Sequence, residues 1–404
     1  MAYRTNQMGA LFVQISSRHP RLRRPGPAGF SLVEMLVATT ILVIIVGILF
    51  VITQQTTIVW KNTTGKAEVF RSARAAFDTM TRTISQATLN TYYDYATVTS
   101  SSYTFVSGGT TLPSTYARNS SLQIVAGLNS SGQSWINGSS GGYTPVTHGI
   151  FFQAPLGISN VAPNGKLNGL LNSCGFYIVY GPDPAAPAYV SATPKYRYRL
   201  MEFLQPTESF SVYGNTGSSG SWFANAINTD LSASTQTSNF VLADNVIALI
   251  ILPKLSANDE KTAETNYGLN TTTYPLGTAL APNYTYDSTT LGQGGTIITS
   301  GASIGKTTYP LLNSFNQLPP VFQVTMIAID EASAQRVCTT SVAPNSKLGL
   351  PSGFSKLFCN ATGHTAASFS NDMTTVETAL KNAKVKYRVF QTDVAIRGAK
   401  WTSD

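Results

Sequence analysis

One segment constrains this chain more than any other. Phe30 to Ile52 is an unbroken apolar run whose only acidic residue is Glu34. As a helix rising about 1.5 Å per residue, it is long enough to cross a bilayer core of about 30 Å. Arg4, Arg18, Arg21, Arg23 and Arg24 precede it, and residues 1–29 contain no acid. A cytoplasmic N-terminus is therefore expected. Those five arginines carry most of the formal net charge of +8, so the basic balance is mainly a targeting signal and says little about a nucleic-acid partner.

Two ordinary readings of this segment fall short. A secretory signal peptide has an apolar region of about 7–15 residues closed by a small-residue cleavage site. Here the run is longer, and Thr53-Gln54-Gln55-Thr56-Thr57 follows it. A plain membrane anchor leaves Glu34 unexplained, because a carboxylate in an apolar helix is costly and usually has a purpose. The bland account of Glu34 is that it lies near the interface and reaches water.

Gly29-Phe30-Ser31-Leu32-Val33-Glu34-Met35-Leu36-Val37-Ala38, behind a basic leader, resembles the cleavage and methylation site of type IV prepilins and type II secretion pseudopilins. The resemblance implies removal of leader 1–29 by a prepilin peptidase cutting between Gly29 and Phe30, and N-methylation of the new Phe30 amine. It implies that Glu34 pairs with the terminal amine of a neighbouring pilin or pseudopilin subunit. It also implies a single-pass protein of the bacterial inner membrane with a periplasmic C-terminal domain, able to join a filament.

Helical character resumes after Ile52. Phe70, Ala73, Phe77, Met80, Ile84 and Ala87 recur at spacings of three and four, with Arg71, Arg74, Asp78 and Arg82 on another side. Asp78 and Arg82 are spaced for an ion pair. Thr63-Thr64-Gly65 is expected to be a weak point, since Gly lowers helix stability by about 1 kcal/mol relative to Ala. A helical region of 30–95, transmembrane over 30–52, is expected. Phe70–Asp78 and Gln86–Asn90 resemble the J-type minor pseudopilins, and Ala87–Tyr95 resembles the protein C members of the Verru_Chthon cassette.

Residues 96–404 read as an exported β-rich domain. Charged residues are only 11% of the chain, and Ser, Thr, Asn, Gly and Tyr are abundant. Strands are expected at Gly175–Tyr180, Tyr196–Leu204, Val246–Leu252, Val321–Ile329 and Val385–Val394, bounded by Pro, Gly or Asn. The polar tracts 99–145, 207–238 and 256–317 are expected to be surface insertions or partly disordered segments. No helical pattern between strands suggests βαβ units. The fold class is α+β: a long N-terminal pilin-type helix, then a mostly antiparallel β-rich domain.

Catalytic motifs fail in context. Gly301-Ala302-Ser303-Ile304-Gly305-Lys306-Thr307 is one residue short of a phosphate loop, and Pro310 opposes the helix that should follow. Gly138-Ser139-Ser140-Gly141-Gly142 fits G-x-S-x-G but lies in a Ser/Gly tract. His148 and His364 have no motif around them. No enzyme and no cofactor is expected. Asp259-Glu260 and Asp330-Glu331 are the acidic pairs to consider for calcium, though neither shows regular ligand spacing. Cys338 and Cys359 are candidates for one disulfide if the domain is exported; three cysteines make no framework.

Two strands alternate basic and apolar residues: Lys195, Arg197 and Arg199 in one, and Lys384, Lys386 and Arg388 in the other. If neighbours, they would form a basic stripe able to hold DNA or an acidic polysaccharide. The plainer account is a solvated face with lysines protecting the sheet. The leading expectation is a minor pseudopilin-like structural subunit, with a pilus-borne binding module as the alternative.

Overall fold

The computed structural model describes residues 29, 31–98, 103–105, 112, 114–128, 142–183, 195–214, 221–232, 237–267, 269–272, 274–293, 312–350, 352–359 and 363–402. These form two compact units, one up to Trp60 and one from Lys61.

The first unit holds the start of α1, Leu32–Ile84. Its 29 residues Leu32–Trp60 are long and apolar enough to cross a membrane, and none is buried within the chain. Apolar side chains pointing outward all round suit lipid rather than a protein core. The threonines do not spoil this. Thr39 and Thr40 donate to the Leu36 carbonyl at 3.0 and 2.8 Å. Thr53 and Thr56 donate to carbonyls four residues back, each at 2.8 Å. Each hydroxyl is satisfied inside the helix, as a lipid environment demands. Trp60 closes the span, where an aromatic ring suits the membrane interface.

In the second unit α1 continues through Thr63-Thr64-Gly65 without a break, so the expected weak point does not interrupt it. Ala73, Phe77, Met80 and Ile84 are buried and Phe70 is half-buried, as the periodicity predicts. Arg71, Arg74, Asp78 and Arg82 are exposed. Asp78 lies 3.8 Å from Arg74 rather than pairing with Arg82. The helix ends at Ile84, short of the expected 95: Tyr92–Val98 is already strand β1.

All strand pairs are antiparallel. A small sheet joins β1 to β2 (Tyr103–Phe105) and β3 (Thr115–Asn119). A six-stranded sheet contains β4 (Val125–Leu128), β5 (Thr144–Pro155), β6 (Leu171–Pro182), β7 (Tyr196–Gln205), β8 (Asn239–Asp244) and β10 (Tyr286–Asp287), in the order β10-β4-β5-β6-β7-β8. A three-stranded sheet is ordered β12-β11-β9, with β9 at Val246–Lys254, β11 at Val321–Ile329 and β12 at Tyr387–Ala395. All five expected strands are present.

The six-stranded sheet is buried on both faces. One face joins the main core with α1, β9 and β11. The other is covered by α2, Ser221–Ser232, through Trp222, Phe223, Ile227 and Leu231. This explains why β6 is buried almost from end to end instead of alternating. It also corrects the reading of 207–238 as surface insertion, since α2 lies inside that tract. Likewise α3, Ala257–Tyr267, lies inside 256–317. The short α4, Glu331–Val337, follows β11. A fifth helix, α5 (Phe369–Asn382), precedes β12 and buries Met373, Val376 and Leu380, a helical spacing that the reading of no helix between strands overlooked.

Gly175 lets the two faces of β6 fit. It stands opposite Phe151 in register, and a Cβ there would overlap the Phe151 ring and lie 2.8 Å from the Ile150 carbonyl oxygen. That ring is itself stacked on Phe223 with centroids 3.8 Å apart. Gly175→Ala is therefore expected to lower stability by about 1–3 kcal/mol through overpacking. A denaturant midpoint unchanged from the parent protein would refute this.

Candidate processing and assembly site

The N-terminal site is built by the first turn of α1. Ser31 N–H donates to Glu34 Oε2 at 2.9 Å, and Glu34 N–H donates to Ser31 Oγ at 3.2 Å. This is a reciprocal capping box that satisfies two otherwise orphaned amides and fixes where the helix begins. The capping signal is legible in the sequence as Ser31-x-x-Glu34. Gly29 is exposed, and a side chain there would meet nothing within 4 Å. Phe30 lies outside the described residues.

Glu34 is exposed at the start of the apolar span, and no cation lies within ion-pair distance of it among the described residues. Its partners are neutral, so the helix N-terminus offers it only partial positive charge. Chemically, the turn presents an accessible carboxylate able to accept an ammonium group.

The other candidates are dispersed. β7 and β12 lie in different sheets, so the expected basic stripe does not form from neighbouring strands. Two of its members are neutralised. Arg197 contacts Asp183 at 2.9 Å and Glu331 at 2.7 Å. Arg199 is only 2% exposed and lies 3.0 Å from Asp183 and 3.3 Å from Asp244. Lys195, Lys384, Lys386 and Arg388 are exposed.

The acidic pairs are engaged within the fold. Asp330 caps α4 by accepting from Ser333 N–H. Burial alone would raise the Glu331 carboxyl, but hydrogen bonds from Arg197, Asn245 and Gln335 prevail and hold it at about 2. Asp259 accepts from Ser256 Oγ at 2.6 Å, and Glu260 accepts from Gly277 N–H at 2.7 Å. No cluster of three or more His, Cys, Asp or Glu suited to a metal occurs among the described residues.

Cys338 and Cys359 are both buried and are not joined to each other in the structure. Cys338 ends α4 near Tyr180 and Tyr198, while Cys359 lies near Tyr284, so each thiol is buried in different aromatic surroundings. Burial pushes the Cys338 thiol up to about 12, away from reactivity. The phosphate-loop-like segment 301–307 and residues 138–141 of the G-x-S-x-G match lie outside the described residues.

His148 is structural. A bulge in β5 between Val146 and Gly149 carries Thr147 at positive φ and turns His148 toward β9. Its Nδ1 accepts from Ile251 N–H at 3.1 Å, and its Nε2 lies 2.8 Å from the Phe358 carbonyl. One nitrogen accepts and the other donates, which is the neutral ring. Burial lowers its pKa to about 4, against the raising effect of the nearby Phe358 and Ile251 carbonyls. His364 Nδ1 lies 2.7 Å from Asp372 Oδ1.

Residues 24–50 match the family model of the prokaryotic N-terminal methylation motif. The match supports a prepilin-type protein processed by prepilin peptidase, and with the apolar helix it fits a single-pass, membrane-anchored pilin-like chain. It points to a structural, pilin-like protein. No curated protein and no solved structure matches significantly.

Proposed function

We propose that this chain is a minor structural subunit of a type II secretion-like or type IV pilus-like filament. The observation that carries the reading is one continuous helix with three successive features. A methylation motif spans its start, with Glu34 in the first turn. An apolar length with no buried residue follows. A stripe then packs on the β-rich domain through Ala73, Phe77, Met80 and Ile84.

Each part has a physical task. The apolar length holds the subunit in the inner membrane until assembly. Cleavage between Gly29 and Phe30 creates an α-amine, and Glu34 of an adjacent subunit accepts it. An unpaired carboxylate in lipid favours a cationic partner strongly enough to set axial register. The β-rich domain is then carried on the periplasmic side. A J-type minor position is favoured by the amphipathic Phe70–Asp78 stretch and the large domain that follows.

Intact-mass and N-terminal mass spectrometry of protein from its own membrane tests the processing. The expected mature chain begins at N-methyl-Phe30. A mature protein retaining residues 1–29 would overturn the proposal.

A further inference from the structure

The three-stranded sheet has two outer edges, and they are finished differently. On β9, the outward N–H groups of Leu249 and Ile251 are taken by Thr147 Oγ1 and His148 Nδ1, both at 3.1 Å. That edge is plugged by buried side chains from β5.

β12 forms the other edge. Ile396 N–H donates to the Pro320 carbonyl, and the Lys386 carbonyl accepts from Asp330 N–H. Even-numbered residues of this strand therefore face β11, in register over Tyr387–Ala395. Odd-numbered residues turn their N–H and C=O outward. Just beyond each end these outward groups are capped. Val385 N–H donates to Leu380 C=O in α5, and Arg397 N–H donates to Ser85 C=O just after α1. Between the caps, Tyr387, Val389, Gln391, Asp393 and Ala395 have no backbone partner on the outer side among the described residues.

Grooves lie along both flanks of this open edge. One of about 470 Å³ separates β12 from α1 and is lined by Arg74, Phe77 and Phe390 among others. The second, about 410 Å³, separates β12 from α5 and is lined by Met373, Glu377 and Val389 among others. An added strand would send alternate side chains toward the two grooves.

The charges choose the occupant. Lys384, Lys386 and Arg388 are exposed at the head of the strand, and no carboxylate lies within ion-pair distance of them among the described residues. The neighbouring acids are engaged: Asp78 with Arg74, Glu377 with Lys381, and Asp393 with Lys254. Such cations discourage pairing between two copies of this edge. The chain's own segments outside the described residues, such as 129–141 and 294–311, contain no Asp or Glu.

We propose that the outer edge of β12 is a docking site for an acidic, extended segment of a partner protein, which adds as a further strand. Backbone pairing supplies affinity, and Lys384, Lys386 and Arg388 select for acidic side chains. A nucleic acid would meet the same cations but could not use the strand's outward N–H and C=O ladder.

The test uses full-length protein in detergent micelles and a fluorescein-labelled nine-residue peptide alternating Glu with Val and Thr, read by anisotropy at low salt. The acidic peptide is expected to bind, and its Lys-for-Glu counterpart at least about tenfold more weakly, as loss of charge-assisted contacts implies. Two alternately N-methylated versions place the methyl groups in opposite frames. One of them should lose at least about tenfold, because its pairing N–H groups are gone. The Lys386→Glu, Arg388→Glu double variant should weaken binding similarly. No binding, equal binding of both N-methylated versions, displacement by single-stranded DNA but not by unlabelled peptide, or a β12-to-β12 dimer would each overturn the proposal. Filament assembly does not enter this measurement, so its result stands apart from the function proposed above.

Discussion

Full-length protein carrying Glu34→Ala is expected to enter the membrane as well as the parent and to be depleted from sheared filaments by about tenfold or more. Removing a carboxylate from an apolar span lowers the cost of insertion, so the membrane fraction should not suffer. What is lost is a charged acceptor in lipid. A charge-assisted hydrogen bond contributes about 1.5–3 kcal/mol, which is tenfold or more in an association constant.

The capping box complicates alanine alone, because that variant also loses the bond from Ser31 N–H to Glu34. Glu34→Gln separates the two effects. Glutamine at the third helical position can still close a capping box, but it carries no charge. Both variants are expected to fail in assembly, with immunoblots of membrane and sheared fractions as the readout. Parental assembly by Glu34→Gln would assign the residue to starting the helix and remove it from subunit pairing.

The second large effect is acid sensitivity centred on His148. The ring is 1% exposed and neutral in the fold, and its pKa is lowered from the ordinary 6.5 to about 4. The unfolded chain takes up the proton as pH falls through 6.5, whereas the folded chain does not until about 4. Stability is therefore complete above about pH 6.5 and is lost as pH falls toward 4. Over that window the loss is on the order of 3 kcal/mol.

His148→Gln should be less stable at pH 7.5 by about 1–3 kcal/mol, because the groups that His148 satisfies lose part of their bonding. It should also lack this component of the acid slope. Urea midpoints at pH 7.5, 6, 5 and 4 give the comparison. Parallel slopes for parent and variant would show that another group carries the acid sensitivity.

Much of the architecture was legible because its signals are local. A bilayer-length apolar run needs only its own residues, and so does the Ala73-Phe77-Met80-Ile84 stripe. The same holds for β7, β9, β11 and β12, whose β-branched and aromatic composition and bounding turns lie close at hand. The missed helices show the limit. In α2, Trp222, Phe223, Ile227 and Leu231 keep helical spacing, but Ser/Gly-rich flanks disguised it. In α5, the spacing of Met373, Val376 and Leu380 was present and overlooked.

The N-terminal prepilin-type motif was legible in the sequence alone. Gly29-Phe30, Glu34 and the apolar run lie within one continuous stretch, so no distant residue is needed to define them. Tertiary structure decided the fate of the cationic strands. Arg197 and Arg199 looked like a basic face until Asp183, Asp244 and Glu331 were brought beside them. Lys384, Lys386 and Arg388 had the same pattern and remain exposed beside an open strand edge. The physical reason is that charge pairing and edge exposure depend on which strands meet. That is set by contacts between residues such as Arg197 and Glu331, far apart along the chain, and no local period records it.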